Sequence, residues 1–287
     1  MDVAPSVMKI DLDEVLRLRA PSYHRFIPRF LIKKLEDYIC QDRMNRLLEG
    51  NAGLEGVDFC HGVIGDLGVK YNVHGSLPAD DSRVVIVSNH PLGGLDGMIL
   101  AEMVSQQYGG RKDVCFVVND LLQFVAPLRN IFVGVNKHGE QSRGAAAKLD
   151  EAFASDKPVI MFPAGLVSRK GDDGSIADLQ WHKMVVNKAI LHRRNVIPVY
   201  FRGHNSQFFY KFARLRTRLG LKFNIEMVCL PREIFKSAGS IFDIYIGKSI
   251  PWSDLRGGKD SQVQAEELRK TVYRLCHEAE IPDGIRE

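Results

Sequence analysis

No stretch of this chain approaches the roughly 18 apolar residues that a bilayer-spanning helix needs, so any membrane contact is expected along a surface. The opening MDVAPSVMKIDLDEV is acidic and has no apolar core, which argues against a secretory leader. The five cysteines (Cys40, Cys60, Cys115, Cys229, Cys276) are odd in number, far apart and without a CxxC pair. That pattern speaks against a disulfide scaffold or a zinc site and for free thiols in a reducing compartment such as the cytoplasm. Neither GxGxxG nor GxxxxGK followed by Ser or Thr occurs, so a nucleotide enzyme is disfavoured. GxSxG is missing too, and with it the nucleophile elbow of a serine hydrolase, although HPLGG has some likeness to an oxyanion loop. His and carboxylate clusters at ligand spacing are lacking, so no metal is implied.

The 287 residues are 45% hydrophobic and 26% charged, the balance of a globular protein able to bury a full core. A net charge of +4 is too small to argue for nucleic acid, but its distribution is uneven. Residues 17–34 carry six Arg or Lys (Arg17, Arg19, Arg25, Arg29, Lys33, Lys34) and no acid, interleaved with Phe26, Ile27, Phe30, Leu31 and Ile32. A helix beginning near Pro28 would set Leu31, Leu35, Tyr38 and Ile39 on one stripe. Such a segment suits an anionic lipid surface, and it equally suits a helix packed on the main body with a solvated basic face.

Beyond residue 51 the pattern alternates. Strands are expected at 69–73, 84–87, 114–118, 131–135, 158–162 and 196–201, with later, edge-type strands at 223–229 and 241–246. Helices are expected at 141–154, 179–194 and 263–277, and 121–128 reads as a short apolar helix or loop. This predicts an α/β fold with a mostly parallel central sheet flanked by helices and a site at the strand carboxyl ends. Without repeats or a linker, the reading is one domain, 51–287, preceded by an N-terminal amphipathic helical extension, 1–50.

The chemistry concentrates in VVIVSNHPLGGLDGMIL, residues 84–100: a buried strand, a polar turn and a helix start. His90 and Asp96 are six residues apart, so they would point to different faces of a regular helix. They can meet only if the turn folds back, which Gly93 and Gly94 permit. Spacing alone leaves two readings open: a His base oriented by a carboxylate, or a βα turn with Asp96 as a plain N-cap and His90 as a solvated loop residue. A second strand runs into a glycine-containing loop at PVIMFPAGLVSRKG, residues 158–171, whose Ser168, Arg169 and Lys170 suit an anionic headgroup or carrier phosphate as well as plain solvent. A third piece, residues 202–222, holds six Arg or Lys, Arg214 and Arg218 among them, and no acid. Laced with Phe208, Phe209, Phe212, Leu215 and Leu219, it is a second candidate membrane face, open also to solvation or nucleic acid.

Taken together in order, these pieces resemble the lysophospholipid acyltransferase superfamily, in which a His and an Asp with four residues between them lie in a loop after a strand. Here NHPLGGLDG has five intervening residues, the spacing of the hemolysin-like branch that includes bacterial ornithine and glycine lipid O-acyltransferases. FPAG followed by VSR stands where FPEGTRS is commoner, so Ala164 replaces the usual Glu and no acceptor contact is assigned to a carboxylate there. Asp178, Trp181, VIPV at 196–199, Gly203, Asn205 and Ser206 also match the branch, while NIFVGVNK lacks the usual Arg, leaving Asn136 and Lys137 as substitutes. The resemblance covers roughly residues 84–250.

It implies that the 51–287 unit is an acyltransferase domain carrying a fatty acyl group from an acyl carrier protein or coenzyme A thioester to a lyso-lipid hydroxyl. His90 would be the base and Asp96 its orienting partner, with no cofactor. Asn89, Gly93, Gly94, Asn136, Lys137, Phe162, Pro163, Gly165, Ser168 and Arg169 would form the substrate site. Arg25, Arg29, Phe30, Lys33, Lys34, Arg214 and Arg218 would face an anionic membrane on the inner side of the cell, with nucleic acid not a partner. The expected acceptor is a lyso-amino-acid lipid; lysophosphatidate, or a membrane-surface lipid binder without chemistry, are the alternatives.

Overall fold

A computed structural model describes residues 9–19, 24–79, 81–119, 125–135, 141–220 and 224–278. Among the described residues the first helices are α1 (Leu12–Arg19), α2 (Arg29–Tyr38), α3 (Gln41–Gly50) and α4 (Gly56–Asp66). The alternation that follows is β1 (Lys70–His74), β2 (Val85–Ser88), α5 (Leu95–Gln107), β3 (Cys115–Asn119), β4 (Phe132–Val135), α6 (Gln141–Ala154) and β5 (Val159–Met161). The short hairpin β6 (Arg169–Lys170) and β7 (Ile176–Ala177) precedes α7 (Met184–Leu191), β8 (Val196–Arg202), α8 (Gln207–Arg218), α9 (Leu230–Lys236), β9 (Ile241–Ile246) and α10 (Ser261–Glu278).

Seven strands form one sheet in the order β1-β9-β8-β2-β5-β3-β4, parallel at every pairing except β8 with β9. β2 lies at its centre, and all four of its residues are buried, as a parallel strand covered on both faces requires. One face packs on α4 and α5 through Val63, Ile64, Leu95, Ile99 and Leu100; the other packs on α6, α7 and α10 through Phe153, Val185, Val186, Leu268 and Val272. Each such side chain, removed from water, contributes about 1.5–3 kcal/mol. The loop after β2 therefore hangs from the central, fully buried strand of the sheet.

Four expectations from sequence are corrected. The 241–246 strand is not at an edge: β1 pairs outside it, and β1 alternates exposed and half-buried residues as an edge strand should. Where a strand was expected at 223–229, the chain forms a 3₁₀ turn, Ile225–Cys229, running into α9 with Pro231 in its first turn. The same alternation is used differently, because Glu226 must turn inward to two arginines. The 179–194 helix is shorter, Met184–Leu191, since residues 178–182 are held by individual bonds such as His182 N to the Pro163 carbonyl. Finally, of the expected α2 stripe only Ile39 is buried and Tyr38 is half-buried; Leu31 is 49% and Leu35 37% exposed, and Ile32 turns inward in their place. Of 121–128, the described part is a 3₁₀ turn at Ala126–Leu128.

Candidate active site

His90 and Asp96 meet. The His90 Nδ1 lies 2.9 Å from the Asp96 Oδ2, with His90 8% and Asp96 0% exposed. The fold-back is built from the carboxylate itself: Asp96 Oδ2 also accepts the Leu92 N–H at 2.8 Å and the Gly93 N–H at 3.4 Å, while Oδ1 accepts the Gly97 N–H at 2.9 Å. Gly93 adopts φ +93°, the left-handed region that glycine tolerates, and a Cβ there would strike Leu230. Gly94, with φ −143°, needs no such freedom. Asp96 is thus not the N-cap of α5, a place that Gly94 takes. With Nδ1–H donated to the carboxylate, Nε2 keeps its lone pair, the form a general base requires.

Phe162 fixes the other dimension of the imidazole. The two rings stack with centroids 3.8 Å apart at 18°, and Phe116 meets Phe162 edge-on at 5.3 Å. The stack covers one face of the imidazole while Asp96 holds its Nδ1, which is why a residue from the FPAG loop belongs to this arrangement.

The loop backbone is clamped by a second carboxylate. Asp178 Oδ1 accepts the His90 N–H at 3.1 Å and the Ser168 hydroxyl at 2.6 Å, and its Oδ2 accepts the Trp181 Nε1–H at 2.9 Å. Ser168 N in turn donates to the His90 carbonyl at 2.8 Å. The Tyr273 hydroxyl accepts the Asp178 N–H at 2.7 Å, and Arg269 donates to its carbonyl at 2.9 Å, so α10 backs the clamp. Burial pushes the Asp178 carboxyl above the ordinary carboxylate range. Sequence pattern flagged Asp178 and Trp181 but gave them no role, and nothing in the sequence tied Tyr273 or Arg269 to residues about ninety positions away.

The remaining expected substrate residues distribute unevenly. Asn89 is buried with its amide exchanging bonds with the Phe201 backbone (Nδ2 to the carbonyl at 2.9 Å, Phe201 N to Oδ1 at 2.7 Å), and Ser168 is 1% exposed in the clamp. Both hold the loop. Pro163 and Ala164 are buried, and Gly165 turns at φ +66° on the surface. Arg169 projects over the Phe209 ring and pairs with the fully buried Glu226 at 2.6 Å; Glu226 also faces Arg216 at 2.8 Å. Burial pushes the Arg169 guanidinium below its usual value. Asn136 and Lys137 lie outside the described residues.

The basic segments come together in space. Tyr38 of α2 meets Phe208 of α8 edge-on at 6.3 Å, and its hydroxyl donates to Cys229 Sγ at 3.2 Å. On the same two helices and the residue that ends the second, Phe30 is 65%, Leu215 52% and Leu219 65% exposed. Arg25, Arg29, Lys33, Lys34 and Arg218 are exposed, Lys33 beside Glu36 and Asp37, while the half-buried Arg214 pairs with Asp172. No described helix is long and apolar enough to cross a membrane. Among the described residues, no three His, Cys, Asp or Glu side chains are placed to hold a metal ion.

Comparison with known proteins follows the same lines. A lyso-glycine lipid O-acyltransferase of Phocaeicola vulgatus is 38% identical over 272 residues, covering 94% of this chain and 96% of its own. One of Bacteroides thetaiotaomicron is 39% identical over 272 residues, covering 94% and 98%. A crystal structure of the 1-acyl-sn-glycerophosphate acyltransferase of Thermotoga maritima aligns with a TM-score of 0.45 at 16% identity, over 90% of this chain and 83% of that one. A family model described as Acyltransferase matches residues 14–281, and the chain belongs to that acyltransferase family.

Proposed function

We propose that the protein transfers a fatty acyl group from an acyl thioester to the hydroxyl of a lyso-amino-acid lipid, with a glycine lipid as the favoured acceptor. The observation that carries the reading is the buried His90–Asp96 pair at 2.9 Å, in a loop locked from both sides. His90 Nε2 takes the proton of the acceptor hydroxyl as that oxygen attacks the thioester carbonyl, and Asp96 stabilises the imidazolium that forms. The C–O ester bond forms, the C–S bond breaks, and the imidazolium returns its proton to the departing thiolate. No covalent enzyme intermediate is needed. The donor is acyl carrier protein or coenzyme A in thioester form.

The names of the two relatives support the amino-acid lipid as acceptor. The apolar and basic surface where α2 meets α8 supports peripheral docking on the anionic inner face of the cell membrane, residues 1–50 serving as the docking extension of the 51–287 domain. Arg169, shared with Glu226, serves the acceptor headgroup from the same side.

The test is transfer of a labelled acyl group from a thioester to lyso-glycine lipid by the purified protein. His90→Ala is expected to abolish transfer while circular dichroism and unfolding midpoint stay near wild type. Undiminished transfer by this variant overturns the mechanism.

A further inference from the structure

At the carboxyl ends of β2 and β8 an open cleft of about 580 Å³ adjoins the active-site loop without being lined by His90 itself. Asn89 and Pro91, the two chain neighbours of His90, form one wall together with Ser168. That wall is fixed from behind: Asn89 is tied to Phe201, and the Pro91 carbonyl accepts the Asn205 amide at 3.0 Å. A ligand pressed against it is therefore held in register with the imidazole, one residue away along the chain. This is the crevice beyond the strand ends where open α/β sheets bind ligands.

The rim carries the cations Arg202 and Lys236 with the imidazole of His204, and a single carboxylate among the described residues, Glu233. Glu233 is 3% exposed and already accepts the Ser206 N–H at 2.6 Å, the Ser206 hydroxyl at 2.8 Å and the Lys236 ammonium at 2.7 Å, so its charge is turned into the protein. Between rim and wall lie the hydroxyl-bearing Ser237 and Ser240 and the rings of Tyr200 and Tyr273.

We propose that this cleft binds the phosphopantetheine arm common to acyl carrier protein and coenzyme A, with its phosphate toward Arg202, His204 and Lys236 and its thioester end toward the Pro91 wall. The inference rests on the acyl-transfer reading above. The arm is a thin chain bearing two amides and an anionic phosphate, which matches a mixed polar and aromatic bed with a cationic rim. A fatty acyl chain could lie against Ile176, Ile241 and Phe242 but would leave the hydroxyls and cations of the cleft without partners. A glycine headgroup has only a handful of heavy atoms, far too few for a space within the roughly 300–1,000 Å³ that encloses drug-sized ligands.

The experiment combines direct binding with kinetics. 4′-Phosphopantetheine is titrated into the full-length protein calorimetrically, and KM values for acyl carrier protein and coenzyme A thioesters and for the acceptor are measured separately. His204→Glu places a negative charge at an exposed rim position, and Ser237→Phe fills part of the cleft. Both are expected to weaken phosphopantetheine binding and raise the donor KM about tenfold or more, with acceptor KM and kcat little changed. The donor whose KM responds identifies the source of the arm. Absence of phosphopantetheine binding by the wild type, an unchanged donor KM in both variants, or a rise confined to the acceptor KM overturns the proposal. Binding by a wild-type protein that transfers no acyl group leaves the cleft assignment standing and removes the reaction instead.

Discussion

Replacing Gly93 by Ala is expected to damage both fold and reaction, whereas the same change at Gly94 is expected to do little. Gly93 sits at φ +93°, and a side chain forced into such a region costs about 1–3 kcal/mol. A Cβ there would lie 2.7 and 2.8 Å from the two δ-methyls of Leu230 and 3.1 Å from Val167. Making room in that packed contact costs about 1–3 kcal/mol more. The smaller freedom of Ala in the unfolded chain offsets about 0.4–1 kcal/mol. The net loss is about 1–6 kcal/mol, which for a chain of this size lowers the unfolding midpoint by about 2–9 °C. Gly94 has an ordinary φ of −143° and its nearest atom would be Ile234 Cδ1 at 3.6 Å, so its Ala variant should stay within about 0.5 kcal/mol of wild type. Activity should follow the same contrast. The Gly93 turn lets Asp96 bond both the loop amides and the imidazole, and displacing a catalytic group by about an ångström costs on the order of 100-fold in rate. Urea unfolding followed by circular dichroism, with transfer rates at saturating substrates, measures both effects. If Gly93→Ala proves as stable and as active as Gly94→Ala, the fold-back does not depend on this turn and the reasoning fails.

Asp178→Ala should lose several kcal/mol, because the His90 N–H and Trp181 Nε1–H are left without their acceptor at about 1–3 kcal/mol each, and kcat should drop with the loosened loop; an unfolding midpoint equal to wild type contradicts the clamp. The raised Asp178 pKa has a definite sign: the stability contributed by the neutral acid is complete below about pH 4 and is lost as pH rises through the folded-state pKa, so Asp178→Asn should flatten that decline in a series of unfolding curves. Burial of Cys60 pushes its thiol up to about 12, so the folded protein keeps this proton where the unfolded chain has lost it. Stability should fall as pH rises from about 9 toward 12, with a slope up to about 1.4 kcal/mol per pH unit smaller in Cys60→Ala, and a thiol reagent should reach Cys60 only on unfolding. Charge reversal at Arg25, Arg29 and Lys33 should weaken sedimentation with anionic vesicles, most at low salt, whereas unchanged binding would make the α2 surface purely structural.

Much of the fold was legible because its signals are local. Buried parallel strands such as 84–87 and 196–201 read as short apolar runs, and α6 was bounded correctly by its spacing of Ala145, Leu149, Ala152 and Phe153. The misreadings occurred where a distant partner overrides local pattern. Ile225–Cys229 has the alternation of a strand, but the need to bury Glu226 between Arg169 and Arg216 decides its shape. The 241–246 strand could be located but not ordered in the sheet, since strand order depends on crossovers that no single segment encodes.

By itself, the sequence determined that a His and a carboxylate flank a glycine pair after a buried strand, and it limited the chemistry by the motifs it lacks. Whether His90 and Asp96 touch, which of the two glycines takes a left-handed conformation, and that Phe162 stacks on the imidazole while Asp178, Trp181 and Tyr273 brace its loop were decided only by the tertiary structure. The reason is physical: residue types and spacing restrict the conformations open to a loop, but the one adopted is selected by contacts with groups about 70 to 115 positions away, and those exist only once the sheet and its helices have packed.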